Sequence, residues 1–194
     1  MNPHFLYNTL DMVNWMAYRT SNQDVCRIVR SLSGFFRLGL NHGKEMYTVA
    51  DELRHVQCYI TIEEYAKTQV TFTVSADPRV LEIPCPKLIA QPLVENALVH
   101  GLEPRHSQGC VDVRFSLEEE TVVIRVRDDG VGLSAPAAGS RFQSSGYGLN
   151  NIRQRLKMIY GEAGTVELRE NETGGALAEV RFPAKPRKEG TEWN

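Results

Sequence analysis

The spacing of apolar residues changes near residue 69, and this change limits the folds that the chain can adopt. Before it, apolar side chains recur every three or four positions, as in "VCRIVRSLSGFF" at residues 25–36. After it, apolar and polar side chains alternate, as in "VTFTVSA" at residues 70–76. The first spacing is typical of a helix with one buried face, and the second of a half-buried strand. The sequence therefore predicts an α+β protein whose first part is helical.

Three helices are expected in residues 3–67, arranged as a helical hairpin or a small bundle. The first follows the opening "MNPHFLYNTLD", and the second is the stretch at residues 25–36. The third begins after Thr48, because Thr48 followed by Asp51 is typical of a capping box, in which each side chain binds the backbone N–H of the other residue.

The second part combines strands with helices. Strands are expected on both sides of two turns, Glu118–Glu120 and Gly174–Gly175. Helices are expected in "PKLIAQPLVENALVHG" and "LNNIRQRLKMIYG". Pro92 lies inside the first of these helices, so we expect a kink or an unpaired carbonyl there. The predicted arrangement is a layer of helices over a largely antiparallel sheet.

These patterns divide the chain into three regions. Residues 1–68 form the helical region and residues 69–184 form the mixed domain, whereas the polar residues 185–194 are expected to be disordered. Within the mixed domain, residues 133–145 are rich in Ser, Ala, Gly and Pro, which predicts a mobile loop.

Composition excludes several classes of protein. The 194 residues suffice for a domain with a helical attachment, and the net charge of −2 argues against general nucleic-acid binding. There is no run of 18 apolar residues, so the sequence predicts no membrane span in this chain. The four cysteines lack metal-type spacing and fit a reducing compartment.

The segment "RVRDDGVGL" contains a candidate ligand-binding acid. Asp128 has the same strand parity as the apolar residues Val122 and Val126, so its side chain is expected to point into the apolar face. A buried carboxylate needs hydrogen bonds. Asp128 is therefore either a structural acid near a turn or an acceptor for the amino group of a ligand, which Gly130 and Gly132 would allow to approach closely.

Two further segments carry polar groups next to helices. In "GYGLNN", Gly146 and Gly148 precede a helix whose free N–H groups would favour an anion, although such glycines often form only a turn. In "QPLVENALVHG", Asn96 and His100 are four residues apart and share a face. The Asn96 amide oxygen suits Mg²⁺, although a satisfied polar group in the core is the alternative.

Taken together, these three segments resemble the N, G1 and G2 boxes of the nucleotide-binding superfamily shared by DNA gyrase, Hsp90, histidine kinases and MutL. The resemblance covers roughly residues 70–183 and implies a Bergerat (GHKL-type) α/β sandwich that binds ATP. It implies that Asn96 holds Mg²⁺ and that Asp128 binds the adenine amino group. The further nucleotide-binding residues that it implies are His100, Gly130, Gly132, Gly146, Gly148, Leu149 and Asn151.

The opening "NPHFLYNTL", together with "PKLIAQPLVENALVHG", resembles the LytS/YesM-like sensor histidine kinases. This resemblance implies that His4 is the phosphorylated residue; an exposed histidine at a helix start is the alternative. With Asn2 as N-cap and Pro3 next, His4 falls in the first helical turn, where a phosphoryl anion is favoured. Asn8, one turn on, either orients the imidazole or a hydrolytic water, or is simply solvated.

The sequence departs from related families at three positions. Val99 stands where this family commonly has Lys before the His-Gly pair, and the candidates to replace that charge are His100, Arg153 and Lys157. For Arg153 and Lys157, solvated helix charges are the alternative. Phe5 follows His4 where other histidine kinases often carry an acid, which leaves the base unidentified. Pro92 stands where ATP-hydrolysing relatives carry a carboxylate, which argues against an ATPase.

The resemblance implies a cytoplasmic kinase core of a membrane-anchored two-component receptor. Such a core uses Mg-ATP to phosphorylate His4 and passes the phosphoryl group to an aspartate on the receiver domain of a response regulator. It also implies a homodimer. Because His4 is near the amino terminus, we further expect the helical region to be truncated there and phosphorylation to be slow. The alternatives are a GHKL-type ATPase or conformational clamp and a non-catalytic nucleotide-binding signalling module.

Overall fold

The computed structural model describes residues 3–40, 45–133 and 145–185. Its helices are α1 Pro3–Arg19, α2 Gln23–Gly39, α3 Val49–Ala66, α4 Ala90–Asn96 and α5 Ser145–Tyr160. Its strands are β1 Met46–Thr48, β2 Val70–Ala76, β3 Pro84–Pro86, β4 Gly109–Glu118, β5 Thr121–Asp128, β6 Thr165–Glu170 and β7 Ala176–Pro183. The predicted α+β class is confirmed.

Five strands form one sheet in the order β2-β4-β5-β7-β6. All neighbouring pairs are antiparallel except β2 and β4, which are parallel. The two turns predicted from the sequence lie between β4 and β5 and between β6 and β7. β1 and β3 pair separately as a short antiparallel ribbon, with Tyr47 opposite Cys85.

One face of the sheet carries the hydrophobic core. The three central strands each place a fully buried side chain on this face, and these are Val113, Ile124 and Val180. Parts of α3, α4 and α5 cover the face, and each of these helices buries apolar side chains in the same core, among them Val56, Leu93 and Leu156. The opposite face is largely polar, apart from the buried Val123 and Leu177, and there Glu179 pairs with Arg125 and Arg181.

α3 belongs to this core as well as to the helical region. Val49, Val56 and Ile60 of α3 are buried in the same cluster as the sheet residues. Thr48 accepts a hydrogen bond from the Asp51 N–H at 3.2 Å, which completes the predicted capping box at the start of α3. The sequence-based boundary between residues 68 and 69 separates α3 from the sheet, whereas these contacts join them. We therefore propose that the second structural unit begins at β1.

Two predicted segments lie almost wholly outside the described residues. Of the loop predicted at residues 133–145, the structure describes only the two end residues, and of the tail at residues 185–194 only the first. Within the described ranges, no helix is both long enough and apolar enough to cross a bilayer.

His55 connects the α1–α2 hairpin to the second unit. It is 1% exposed, and its ring stacks on Phe35 of α2 with the ring centroids 4.5 Å apart. Burial disfavours the charged imidazolium and lowers the pKa of His55 to about 4, although the Phe35 carbonyl opposes this shift. Near the end of α3, the Tyr65 hydroxyl donates to Asp24 of α2 at 2.9 Å.

The low pKa of His55 predicts acid sensitivity. In the unfolded chain a histidine titrates near pH 6.5, so the stability that His55 provides is complete above that pH and is lost as the pH falls towards 4. His55→Phe keeps an aromatic ring against Phe35 but cannot be protonated. Between pH 8 and pH 5, we expect its free energy of unfolding to rise by about 2 kcal/mol relative to the wild type, as measured by urea unfolding.

The control is His106→Asn, because His106 is exposed and adopts a left-handed backbone conformation that Asn tolerates. This variant keeps the contact between His55 and Phe35, so it should retain the acid sensitivity that His55→Phe removes. If His55→Phe and the wild type differ by the same free energy at both pH values, then His55 is not buried in its neutral form.

Candidate nucleotide-binding site

Asp128 lies at the end of β5 and points into the core face, as its strand parity predicts. It is 4% exposed. Its Oδ1 accepts hydrogen bonds from the Gly130 N–H at 2.9 Å and from the Ala176 N–H at 3.2 Å. Within the described residues Oδ2 accepts none, so one carboxylate oxygen is anchored and the other is available to a ligand.

The pKa of Asp128 is raised, first because burial disfavours its charged form. The charges of Asp129 and Glu170 act in the same direction, while the two amide hydrogen bonds oppose the shift. An acceptor in such a desolvated position forms stronger hydrogen bonds than one in water. Asp128 is therefore suited to recognising a donor group that enters the pocket.

Two glycines allow another chain segment to meet Asp128. A Cβ on Gly101 would lie 2.5 Å from Asp128 Oδ1, and a Cβ on Gly130 would overlap the Gly101 carbonyl. The Val131 N–H donates to that carbonyl at 3.0 Å. The turn after β5 is thus joined directly to the helical segment that carries Gly101.

Gly132 forms the far side of this turn. Its φ of +74° is in the left-handed region, and a Cβ there would lie 2.5 Å from Glu170 Oε2. The other oxygen of Glu170 accepts a hydrogen bond from the Leu133 N–H at 2.9 Å. Gly130 and Gly132 therefore shape the turn as predicted, and Glu170 fixes its position relative to β6.

The helical segment changes its winding next to Asp128. α4 continues as a π-helix from Ala97 to Leu102. π-helical turns are rare and are often found at functional sites. Pro92 is the third residue of α4, within the first turn. The N–H groups of a first turn have no intrahelical partner, so a proline there removes no helical hydrogen bond and the predicted kink is not required.

Asn96 and His100 lie on either side of the change in winding. Asn96 ends α4, and its buried Nδ2 has no hydrogen-bond partner in the part of the chain that the structure describes. His100 lies in the π-helix and is half-buried; burial lowers its pKa, and the charge of Glu103 partly opposes that shift. Buried polar groups are nearly always paired in native proteins, so the Asn96 amide suggests a missing partner.

The start of α5 packs beside α4. A Cβ on Gly148 would lie 3.7 Å from the Cβ of Pro92, which is an ordinary contact distance. Leu149 packs against the core and Asn151 is exposed. Gly146 and Gly148 lie inside α5 and not before it, because the helix begins at Ser145. The surroundings of Gly146 fall outside the described part of the structure.

His4 lies in the first turn of α1, which begins at Pro3 as predicted, but its side chain falls outside the described residues. Asn8 follows one turn later and is exposed. Asn2, the predicted N-cap, also falls outside the description. The Gly130 and Ala176 amides bind Asp128, whereas His4 is carried by α1, so His4 and Asp128 belong to different elements of the chain.

Val99 leaves the site without the lysine charge of related proteins, and the residues that could supply a charge instead differ in their surroundings. Val99 is 42% exposed in the π-helix. Arg153 is exposed on α5. Lys157 forms an exposed ion pair with Glu162, with an N–O distance of 3.0 Å. This pair favours the interpretation of Lys157 as a solvated helix charge.

Three contributors to the site were missed by sequence reasoning. In the sequence, Gly101 is only the last residue of the predicted helix "PKLIAQPLVENALVHG", and the Ala176 N–H comes from a strand 48 residues after Asp128. The third is Glu52, which is fully buried and binds the residues that begin α4. Its position on the apolar stripe of α3, between Val49 and Val56, is a signal that could have identified it.

Comparison with known proteins assigns both parts of the chain. Residues 1–69 match the family described as histidine kinase. Residues 85–186 match the family described as histidine kinase-, DNA gyrase B-, and HSP90-like ATPase. The chain belongs to this ATPase family. The resemblance to LytS/YesM-like sensor histidine kinases that the sequence predicted is confirmed.

Two curated relatives illustrate the relationship. Sensor histidine kinase YesM of Bacillus subtilis is 31% identical over 189 residues, which cover 95% of this chain and 32% of YesM. Sensor protein LytS of Oceanobacillus iheyensis is 29% identical over 188 residues, which cover 91% of this chain and 32% of LytS. The chain thus spans about a third of the length of these curated relatives.

A solved structure shows the same fold. The catalytic domain of the histidine kinase ThkA is 19% identical and superposes with a TM-score of 0.55, covering 73% of this chain and 97% of that domain. At this identity the likeness supports the fold alone. It agrees with the family match in placing an ATPase-type sandwich in the second part of the chain.

The contact between Gly101 and Asp128 leaves no space for a side chain. We expect Gly101→Ala to displace Asp128 and to lower the free energy of unfolding by roughly 1–3 kcal/mol, as overpacking does. Urea unfolding measures this change. Hydrogen exchange should show faster exchange of the Gly130 and Ala176 amides, which bind Asp128.

The matched control is Gly39→Ala, because a Cβ on Gly39 would lie 3.5 Å from His55 Nε2, an ordinary contact distance. Its stability should stay within about 1 kcal/mol of the wild type. A Gly101→Ala variant with wild-type stability and unchanged amide exchange would contradict the close approach.

Proposed function

We propose that this chain is the kinase core of a two-component sensor histidine kinase. It transfers the γ-phosphoryl group of Mg-ATP to His4. The observation that carries the proposal is the anchored Asp128 carboxylate at the point where the β5 turn and the π-helix meet. The family membership and the position of His4 in the first turn of α1 support the same function.

In this proposal, Asp128 Oδ2 accepts a hydrogen bond from the exocyclic amino group of adenine. Oδ1 remains bound to the Gly130 and Ala176 amides, which fix the direction of the free oxygen. A guanine base carries a carbonyl oxygen where adenine carries this amino group, so two acceptors would face each other. The site therefore favours ATP over GTP.

Asn96 is the proposed protein ligand for Mg²⁺. Oδ1 of this amide is the atom that would bind the metal, while the buried Nδ2, which has no partner within the described ranges, would donate to a phosphate oxygen or a water. Among the described residues, no group of three His, Cys, Asp or Glu side chains could hold a metal ion. Mg²⁺ commonly binds with one or two protein ligands, several waters and phosphate oxygens, and it neutralises phosphate charge when bound.

The proposed reaction requires little covalent chemistry from the pocket. A ring nitrogen of neutral His4 attacks the γ-phosphorus, the bond between that phosphorus and the bridging oxygen of ADP breaks, and the ring N–H proton leaves to solvent. An unperturbed histidine is largely neutral near pH 7, as a nucleophile must be. Pro92 stands where ATP-hydrolysing relatives carry a carboxylate and offers no base for water, which favours phosphorylation over the alternative ATPase or clamp function.

The proposed partners follow from the family. They are a response regulator, whose receiver-domain aspartate accepts the phosphoryl group from His4, and a second copy of the chain in a homodimer. We also propose that the parent protein is membrane-anchored and that this part of it is cytoplasmic.

The phosphoacceptor assignment predicts a separation of binding from labelling. After incubation with γ-labelled ATP and Mg²⁺, the wild type should carry an acid-labile label, whereas His4→Gln should carry none. Because His4 and the pocket lie in different parts of the chain, His4→Gln should bind nucleotide with nearly the same affinity as the wild type. Acid-labile labelling of His4→Gln would show that another histidine accepts the phosphoryl group.

Adenine recognition by Asp128 can be tested with a neighbouring control. Asp128→Asn presents a donor to the adenine amino group, and an unsatisfied buried donor costs on the order of 1–3 kcal/mol, so we expect ATP affinity to fall roughly ten- to a hundred-fold. Asp129→Asn is the control, since Asp129 is exposed and binds the Cys110 N–H at 2.8 Å.

Calorimetric titrations of both variants with ATP and GTP measure these affinities. Asp129→Asn should bind ATP like the wild type. A folded Asp128→Asn variant with wild-type ATP affinity would exclude the adenine role of Asp128.

A further inference from the structure

A fully buried carboxylate lies beneath the first turn of α4. Glu52 of α3 accepts hydrogen bonds from three consecutive backbone N–H groups, those of Leu88 at 3.0 Å, Ile89 at 2.8 Å and Ala90 at 2.6 Å. The Tyr47 hydroxyl of β1 also donates to Glu52. The sequence separation of at least 36 residues makes this a tertiary contact between α3 and α4.

These amides are the groups that the start of a helix leaves without intrahelical partners. Ile89, at the N-cap position of α4, makes no side-chain capping bond. Leu88 adopts a φ of +54°, which is uncommon for a branched apolar residue and persists only where the surroundings hold it. Glu52 thus performs from a different helix the capping that the local sequence of α4 does not provide.

The segment that Glu52 binds, residues 88–90, leads directly into the proposed nucleotide site. α4 runs from Ala90 to Asn96, and its π-helical continuation reaches Gly101 beside Asp128. The segment is short and continuous, so a displacement of its start moves Asn96 and Gly101 as well.

We propose that Glu52 is a positioning residue for nucleotide binding, which fixes the helix carrying Asn96 and Gly101 by binding the three amides at its start. The inference rests on the proposed nucleotide site. Glu52 itself lies in the core and touches neither nucleotide nor metal in this role.

The role requires the charged form of Glu52. A carboxylate only accepts hydrogen bonds, and all its hydrogen-bond partners here are donors. Protonation would turn an O–H group towards a donor and break at least one of these bonds. Burial raises the pKa of Glu52 to about 7, while the three amides and the charge of Arg155 on α5 oppose the shift. The carboxyl group therefore gains its proton within an accessible pH range.

Further titratable groups on or next to the elements around Glu52 are Cys85, His55 and Lys87. Burial keeps the Cys85 thiol of β3 protonated by raising its pKa well above the usual value, and His55 on α3 is neutral above about pH 4 because burial lowers its pKa. Lys87, which follows β3, lies 6.0 Å from the centre of the Tyr47 ring. Of the buried groups on these elements whose pKa is shifted, Glu52 is the one that titrates near pH 7.

The test compares Glu52→Gln with the wild type in the 194-residue chain. Gln resembles the protonated side chain and cannot be ionised. Calorimetry with Mg-ATP at pH 6, 7 and 8 gives the ratio of wild-type to variant affinity, and this ratio cancels the titration of the ATP phosphates themselves. We expect a ratio of about ten at pH 8 that falls to about two at pH 6, because the wild type loses its charge between these values.

Stability provides a second readout with the opposite sign. The folded pKa of Glu52 is about 7, above its ordinary value of 4.5, so its contribution to stability is complete below pH 4.5 and is lost as the pH rises towards 7. Between pH 6 and pH 8, the wild type should therefore lose stability relative to Glu52→Gln while it gains affinity. A role in stability alone would not produce this opposition.

Glu179→Gln is the matched control, since Glu179 is a buried carboxylate on β7 that pairs with Arg125 and Arg181 and makes no hydrogen bond to the described residues of α4. Its affinity ratio to the wild type should not change with pH. A wild type that does not bind Mg-ATP at pH 8 refutes the proposed nucleotide site. A wild type that binds, with a Glu52→Gln ratio that is constant across pH, overturns the positioning role alone.

Tyr47→Phe keeps the test decisive if Glu52→Gln does not fold. Removing the Tyr47 hydroxyl takes one donor from the charged form of Glu52, which should raise its pKa further. The pH midpoint of Mg-ATP affinity should then lie above that of the wild type. An unchanged midpoint in the folded Tyr47→Phe variant would also overturn the proposal.

Discussion

The close approach of the π-helix to the end of β5 determines the geometry of the site. Gly101 and Gly130 meet at a distance that excludes any Cβ, and Asp128 lies against both. A hydrogen bond from the Val131 N–H to the Gly101 carbonyl fixes this contact. Because a helix and a strand end touch through backbone atoms, the Asp128 carboxylate is buried while one of its oxygens stays free to accept a bond. The anchored oxygen and the position of Asn96 both depend on this contact.

Among the described residues, three carboxylates, Glu52, Asp128 and Glu179, are buried, and their hydrogen-bond and ion-pair partners determine whether each can bind a ligand. Glu179 is neutralised by arginines on the outer face of the sheet, so its role is structural. Glu52 is surrounded by four donors and has no capacity for a ligand, so it acts through the helix that it holds. Asp128 has one oxygen bound by two amides and one oxygen that accepts no bond from the described residues. Of the three, Asp128 alone combines burial with a free acceptor, and this distinguishes a binding group from a structural one.

Local sequence patterns predicted the long helices and most strands of the five-stranded sheet, but not the short strands β1 and β3. The 3.6-residue period identified α2, the capping box at Thr48 and Asp51 identified the start of α3, and strand parity placed Asp128 on the core face. These features depend on neighbouring residues, whose periodicity and capping are visible in a single sequence. The resemblance to the histidine kinase family added the expected nucleotide-binding fold, which the family matches confirm.

The features that the sequence did not predict are tertiary, because they join residues that are distant in the chain. They are the parallel pairing of β2 with β4, the packing of α3 into the sheet core and the binding of Glu52 to the start of α4. The change from α-helix to π-helix at Ala97 follows a run of ordinary helix-forming residues, and no local rule marks it.

The most direct measurement is a crystal structure of this chain with Mg²⁺ and a non-hydrolysable ATP analogue. We predict that the adenine amino group lies about 3 Å from Asp128 Oδ2 while Oδ1 keeps its bonds to the Gly130 and Ala176 amides. We also predict that the metal lies beside the Asn96 side chain. An adenine ring bound elsewhere, or bound here with no hydrogen bond to Asp128, would contradict the proposed role of this carboxylate.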